Sequence, residues 1–120
     1  MHAVHCDPQA FFDAIGRDAD AFASTLDLFR VEGRAQCARV ALAARAHARG
    51  TLREALHKLA GSLVLLRARP ALELVECLRD LCDDDDDEAL EAVALDLEAE
   101  FARLCDELGP LTAQIRQAAA

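Results

Sequence analysis

The segment REALHKLAGS, residues 53–62, sets one histidine in a stretch that otherwise reads as an amphipathic helix, with a glycine four positions further on. A histidine side chain changes protonation near cellular pH, and a neutral imidazole nitrogen is a nucleophile that can take up a group and release it again. At about 100° per residue, Leu52, Leu56, Leu59, Leu63 and Leu66 fall within roughly 40° of one direction, which must be the core side. His57 lies roughly 140° from that direction, so its ring is expected in water. Arg53, one turn back and about 40° from His57, is the cation best placed beside a group carried by the ring; Lys58 points roughly 100° away and is the second candidate. Gly61 costs about 1 kcal/mol relative to Ala inside a helix. On the outer face, one turn from His57, its physical use is to let another backbone approach closely.

Other residue types that could do chemistry are less well arranged. Glu54-x-x-His57 has the spacing of carboxylate-bridged di-iron bundles, but such sites need two motifs and further inward-facing Glu residues, whereas this single motif faces out. His2, His5 and Cys6 crowd the N-terminus, where a disordered cluster without a role is the expectation. The five cysteines Cys6, Cys37, Cys77, Cys82 and Cys105 show no CxxC spacing and read as reduced, mostly buried small hydrophobes of a cytosolic protein. The run Asp83 to Asp87 is self-repelling and reads, with its flank to residue 88, as a solvated acidic loop rather than a metal site. No metal or cofactor is expected on the chain.

The elements that must hold His57 follow from caps and periodicity. Asp7-Pro8 starts a short helix with Phe11, Phe12 and Ile15, closed near Gly16. Asp18 or Asp20 opens a long second helix running to about His47, with Phe22, Leu26, Phe29, Ala35 or Cys37, Val40 and Ala44 on its inner face and Gly33 as a weak spot. Gly50 then reads as a C-cap, and Thr51 with Glu54 as a capping box for the histidine helix. Pro70 ends that helix or begins the next, which runs to about Cys82 with Ala71, Leu74, Val75, Leu78 and Leu81 inward. The last substantial helix carries Leu90, Val93, Ala94, Leu97, Phe101, Leu104, Cys105 and Leu108 as its stripe and stops at Gly109-Pro110. Residues 111–120 form a tail with at most a turn or two before a frayed Ala end. The fold class is all-α: an antiparallel up-down four-helix bundle with a short extra N-terminal helix, one domain over 1–120 with its core at about 7–108.

Charge narrows the partners. The net charge is −9, with 8 Lys/Arg against 7 Asp/Glu in residues 1–60 but 5 against 15 in residues 61–120. Such a chain repels nucleic acid and anionic membranes, so protein partners are expected. No apolar run suits a signal peptide or a membrane span. There is no GxxxxGK[ST] loop, so the chain is not expected to be an ATP-using enzyme.

The stretch ALHKLAGS resembles the H-x-L-x-G-S core of histidine-containing phosphotransfer domains, and residues from about Asp7 to Leu108 follow that family's order of elements. The resemblance implies a cytoplasmic, bacterial phosphorelay intermediate in two-component signal transduction. In it His57 reversibly accepts and donates a phosphoryl group exchanged with the aspartate of response-regulator receiver domains. Mg2+ is expected on the receiver, and a hybrid sensor kinase is a further partner. It implies a docking and phosphoryl-stabilising surface of Arg53, Lys58, Ala60, Gly61, Ser62 and Val64. Three positions depart from the pattern: the family often has Lys where Ala60 stands, and small residues, including glycines, where Val64 and Arg67 stand. Val64 and Leu65, off the leucine stripe, form an apolar patch for a partner helix or a contact with the N-terminal helix. In histidine-kinase dimerisation helices the residue after the histidine is typically acidic and a proline follows a turn later; Lys58 and Ser62 occupy those places, which disfavours autophosphorylation. Met1 and the end signals favour a free-standing protein over a piece of a larger kinase, and a bundle expected to be complete within one chain favours a monomer. The alternative is a non-phosphorylated helical adaptor that binds a signalling protein without chemistry.

Overall fold

Asp7, Asp18 and Asp86 each stand one residue before a helix, and each carboxylate accepts a backbone N–H of the first turn: Ala10 at 3.1 Å, Ala21 at 3.0 Å and Ala89 at 2.9 Å. These caps satisfy donors that have no partner inside a helix. In the computed structural model, which describes residues 3–119, the helices are α1 (Pro8–Ala14), α2 (Ala19–Arg45), α3 (Arg49–Leu65), α4 (Arg69–Leu81) and α5 (Asp87–Ala119). The described residues contain no strand, so the protein is all-helical. No helix among them is long and apolar enough to cross a membrane.

Helix α2 packs against α3 and α5, and α4 packs against α3 and α5. At about 1.5 Å per residue, the 33 residues of α5 span roughly 50 Å, the full 52 Å length of the molecule. One contiguous apolar core takes Phe22, Leu26, Phe29, Cys37, Val40 and Ala44 from α2 and all five leucines of the α3 stripe. Ala35 is exposed, so Cys37 holds the inner position between Phe29 and Val40. Helix α1 lays Phe11 and Phe12 against Phe22, with ring centroids 5.7 and 5.0 Å away. Glycine 33 is not a weak spot. A Cβ there would stand 2.8 Å from Cε2 of Phe101, so its absence is what lets the α5 ring lie against the α2 backbone.

Three connections share one backbone form. Arg17 N–H donates to Phe12 O, Ala48 N–H to Ala43 O and Ala68 N–H to Leu63 O, at 3.0, 2.9 and 3.1 Å; the residue before each donor bonds the carbonyl of the residue after each acceptor. These are Schellman closures. The left-handed residue is Gly16 in the first turn, but His47 (φ 54°) and Arg67 (φ 49°) in the others. The expected C-cap at Gly50 and the Thr51–Glu54 capping box are therefore corrected: α3 begins at Arg49, its cap position is Ala48 without a side-chain bond, and Gly50 lies in the first turn. The two bonds of the closure hold His47 in a conformation that sequence preference reserves for glycine.

A second correction concerns the C-terminus. Helix α5 continues through Gly109-Pro110 to Ala119 instead of stopping there. Proline removes one helical hydrogen bond, but packing beyond it compensates: Thr112 is buried and donates its hydroxyl to Leu108 O at 2.9 Å, Leu111 and Ile115 pack on the core, and Arg116 pairs with Asp27 at 2.5 Å. The third is at the N-terminus, where His5 and Cys6 are ordered. Val4 and His5 donate backbone N–H groups to Glu107 at 2.9 and 3.0 Å, His5 Nδ1 meets the buried Glu100 at 2.7 Å, and Asp7 N–H donates to Leu66 O at 2.8 Å. His2 lies outside the described residues.

Candidate functional site

The position of α3 is set from four sides. Its stripe Leu52, Leu56, Leu59, Leu63 and Leu66 is buried to 2 % exposure or less. Both its ends leave through the hydrogen-bonded turns at His47 and Arg67. At its N-terminal half, two arginines reach across to the α4–α5 connection. Arg49 donates Nε to Asp84 O at 3.1 Å and Nη2 to Asp87 Oδ1 at 2.7 Å, while Arg53 donates Nη2 to Cys82 O at 3.1 Å and to Asp83 Oδ1 at 2.5 Å. His47 adds a third cross-link, with its ring nitrogens 3.5 Å from Asp87 and 3.4 Å from Glu91.

This changes the picture of the aspartate run. Asp86 caps α5, and Asp87 lies in its first turn, so the connection ends one residue earlier than the run does and is tied down by side chains on α3. The hydrogen bond from Arg49, then the charges of His47 and Arg49, hold the Asp87 carboxyl below its ordinary value of 3.8 against the opposing effect of desolvation.

His57 is exposed, on the side of α3 opposite its leucines. It lines an open surface depression with Arg53, Glu54 and Lys58. Of the residues singled out in the sequence, the fold thus brings Arg53, His57 and Lys58 together. Lys58 also borders the adjoining α2–α3 groove with Arg39 and Leu42. Ser62 turns toward α2, where its hydroxyl meets Gln36 Oε1 at 3.4 Å, and Ala60 is half-buried against the core. Gly61 is exposed, and a Cβ there would meet nothing within 4 Å, so no part of this chain uses the space. Val64 and Leu65 are 58 % and 54 % exposed, which leaves them uncovered by α1. Leu65 borders a groove with Leu28, Phe29 and Ser62.

Glu54, already paired with His57 by its spacing, faces outward beside it as expected. Arg39, in the adjoining groove, is the neighbour that the sequence did not single out. Arg39 comes from another helix and leaves no local signal.

The cysteines offer no competing nucleophile in the interior. Burial first, and then the neighbouring carboxylates, push Cys6 up to about 12; burial first, and then Cys105 and Glu98, push Cys37 up to about 12, so both stay protonated and unreactive near neutral pH. Burial also raises Cys82 and Cys105. Cys77 departs from the expected burial and is exposed. Among the described residues no group of three or more His, Cys, Asp or Glu side chains is arranged to hold a metal. An exposed imidazole on a braced helix, beside two cations, can attack an electrophile that a partner brings to it. No protein-family model, curated protein or solved structure matches the chain.

Proposed function

We propose that the protein is a phosphorelay intermediate of the histidine-containing phosphotransfer type, in which His57 carries the phosphoryl group. The observation that carries this reading is the outward imidazole of His57, held on a helix whose opposite face is fully buried, in a depression that also contains Arg53 and Lys58. The closed ring of contacts α2–α3–α4–α5 supports an antiparallel four-helix bundle with α1 as the added helix.

In the transfer, a ring nitrogen of His57 attacks the phosphorus of an aspartyl phosphate on a receiver domain. The N–P bond forms, the P–O bond to the aspartate breaks, and the carboxylate leaves. The reverse sequence passes the group to another receiver. Positioning and charge stabilisation dominate phosphoryl transfer. The rigid α3 supplies the first, and the cations beside His57 supply part of the second. Mg2+ belongs to the receiver's acidic pocket. The open face around Gly61, Val64 and Leu65 admits the receiver, and the hydrolysis or synthesis of ATP has no part in the step.

The test is incubation with phosphorylated receiver domains of the same genome, wild type beside His57→Gln. The wild type is expected to gain phosphate that is acid-labile and alkali-stable, and the variant none. Binding of a receiver without any labelling of the wild type would make the protein an adaptor, a reading that the bulky, exposed Val64 near His57 favours.

A further inference from the structure

Arg53 stands one helical turn before His57 and lines the same depression, yet its Nη2 is committed elsewhere, to Cys82 O and Asp83 Oδ1. Side chains on a helix lean toward its N-terminus. The guanidinium of Arg53 therefore leans away from His57, toward the α4–α5 connection, while the His57 ring leans toward Arg53. Both line the same depression. The Arg53–Asp83 pair is 49 % and 76 % exposed, a setting in which an ion pair is weak and readily exchanged.

Resting on the phosphotransfer reading of His57, we infer that Asp83 is a latch on Arg53: it holds the guanidinium in the unphosphorylated protein and competes for it with the phosphoryl group on His57. A phosphoryl group carries more negative charge than one carboxylate and presents three acceptor oxygens, so it draws the fork of Arg53 across. Cys82 O, a neutral acceptor, does not oppose the exchange strongly. The loop thus sets how firmly His57 retains its cargo, and with it the readiness to pass the group on. Arg49 stays bonded to Asp84 O and Asp87 throughout, which keeps the loop itself in place.

The test needs no receiver. Phosphoramidate phosphorylates an accessible imidazole directly: the ring nitrogen attacks phosphorus, the P–N bond of the reagent breaks, and ammonia leaves. The lifetime of the phosphohistidine is then followed by 31P NMR at neutral pH in the wild type, Asp83→Asn, Asp84→Asn, Arg53→Ala and the double variant Arg53→Ala/Asp83→Asn. Asp83→Asn is expected to lengthen the lifetime about threefold, within the range an exposed ion pair allows. Asp84→Asn removes an equal charge from a side chain that makes no hydrogen bond or ion pair among the described residues and is expected to change it little. The double variant is expected to match Arg53→Ala, because the latch acts only through that arginine. An Asp83→Asn lifetime equal to or shorter than wild type, or a gain that persists without Arg53, overturns the latch while leaving His57 as the carrier. Failure of the wild type to form phosphohistidine that His57→Gln lacks removes both.

Discussion

Two glycines stand in the middle of long helices, Gly33 in α2 and Gly61 in α3, and their surroundings are opposite. Around Gly33 the α5 ring of Phe101 fills the space a side chain would take, and Phe29 stacks behind it with a centroid separation of 5.6 Å. Around Gly61 there is only solvent. Both positions lose helix propensity by the same amount. At Gly33 the loss is offset inside the molecule by close packing of α2 on α5. At Gly61 nothing in the chain offsets it, and the bare backbone one turn from His57 is left for a partner. The same residue type marks a structural contact in one place and an unfilled approach in the other.

Substitution separates the two. Gly33→Ala should force the buried Phe101 ring aside, an overpacking cost of about 1–3 kcal/mol only partly offset by better helix propensity, and should lower Tm by several degrees. Combining it with Phe101→Leu should recover part of the loss if the clash is the cause, which a double-mutant cycle on thermal melts reads directly. Gly61→Ala should do the reverse and raise stability by about 0.5–1 kcal/mol, since the new methyl meets nothing. It should at the same time slow phosphoryl transfer from a receiver. A variant that is more stable and transfers at the wild-type rate would remove the approach role of Gly61 and dissolve the contrast.

The smallest effect concerns the brace beneath α3. The folded-state carboxyl of Asp87 is held below its ordinary 3.8 by Arg49, so its contribution is present above that value and is lost as pH falls through the lower folded value. Acid titration of stability should therefore be slightly less steep below about pH 4 in Asp87→Asn than in the wild type. Equal slopes would mean that the Arg49–Asp87 bond does not brace α3.

What the sequence made legible was local. The cap at Asp7, one of the two starts offered for α2 at Asp18, the inner stripes of α2 to α5 and the outward phase of His57 all follow from spacing within one helix, and each is found where spacing placed it. What it hid was contact between distant segments. Gly33 looks like a flaw until Phe101, far along the chain, is seen against it. Gly109-Pro110 reads as a stop because the burial of Thr112 and the pairing of Arg116 with Asp27 are invisible locally. Gly50 drew the turn to itself, whereas the closing bonds from Ala48 and Ala68 placed His47 and Arg67 at the left-handed positions. The commitment of Arg53 to Asp83 is of the same kind: the wheel placed the arginine correctly and could not reveal its partner.

The residues at the turn positions bear on how so acidic a chain tolerates its own charge. Arg17, His47 and Arg67, the non-glycine residues of positive φ, all follow helix C-termini, where unpaired carbonyls concentrate negative potential, and Asp7, Asp18 and Asp86 sit at the opposite poles. Self-repulsion from a net charge of −9 is thereby met at two of these corners by Arg17 and Arg67, which stand where the backbone dipoles end. The corners, not the core, should be the first parts of the molecule to feel a rise in ionic strength.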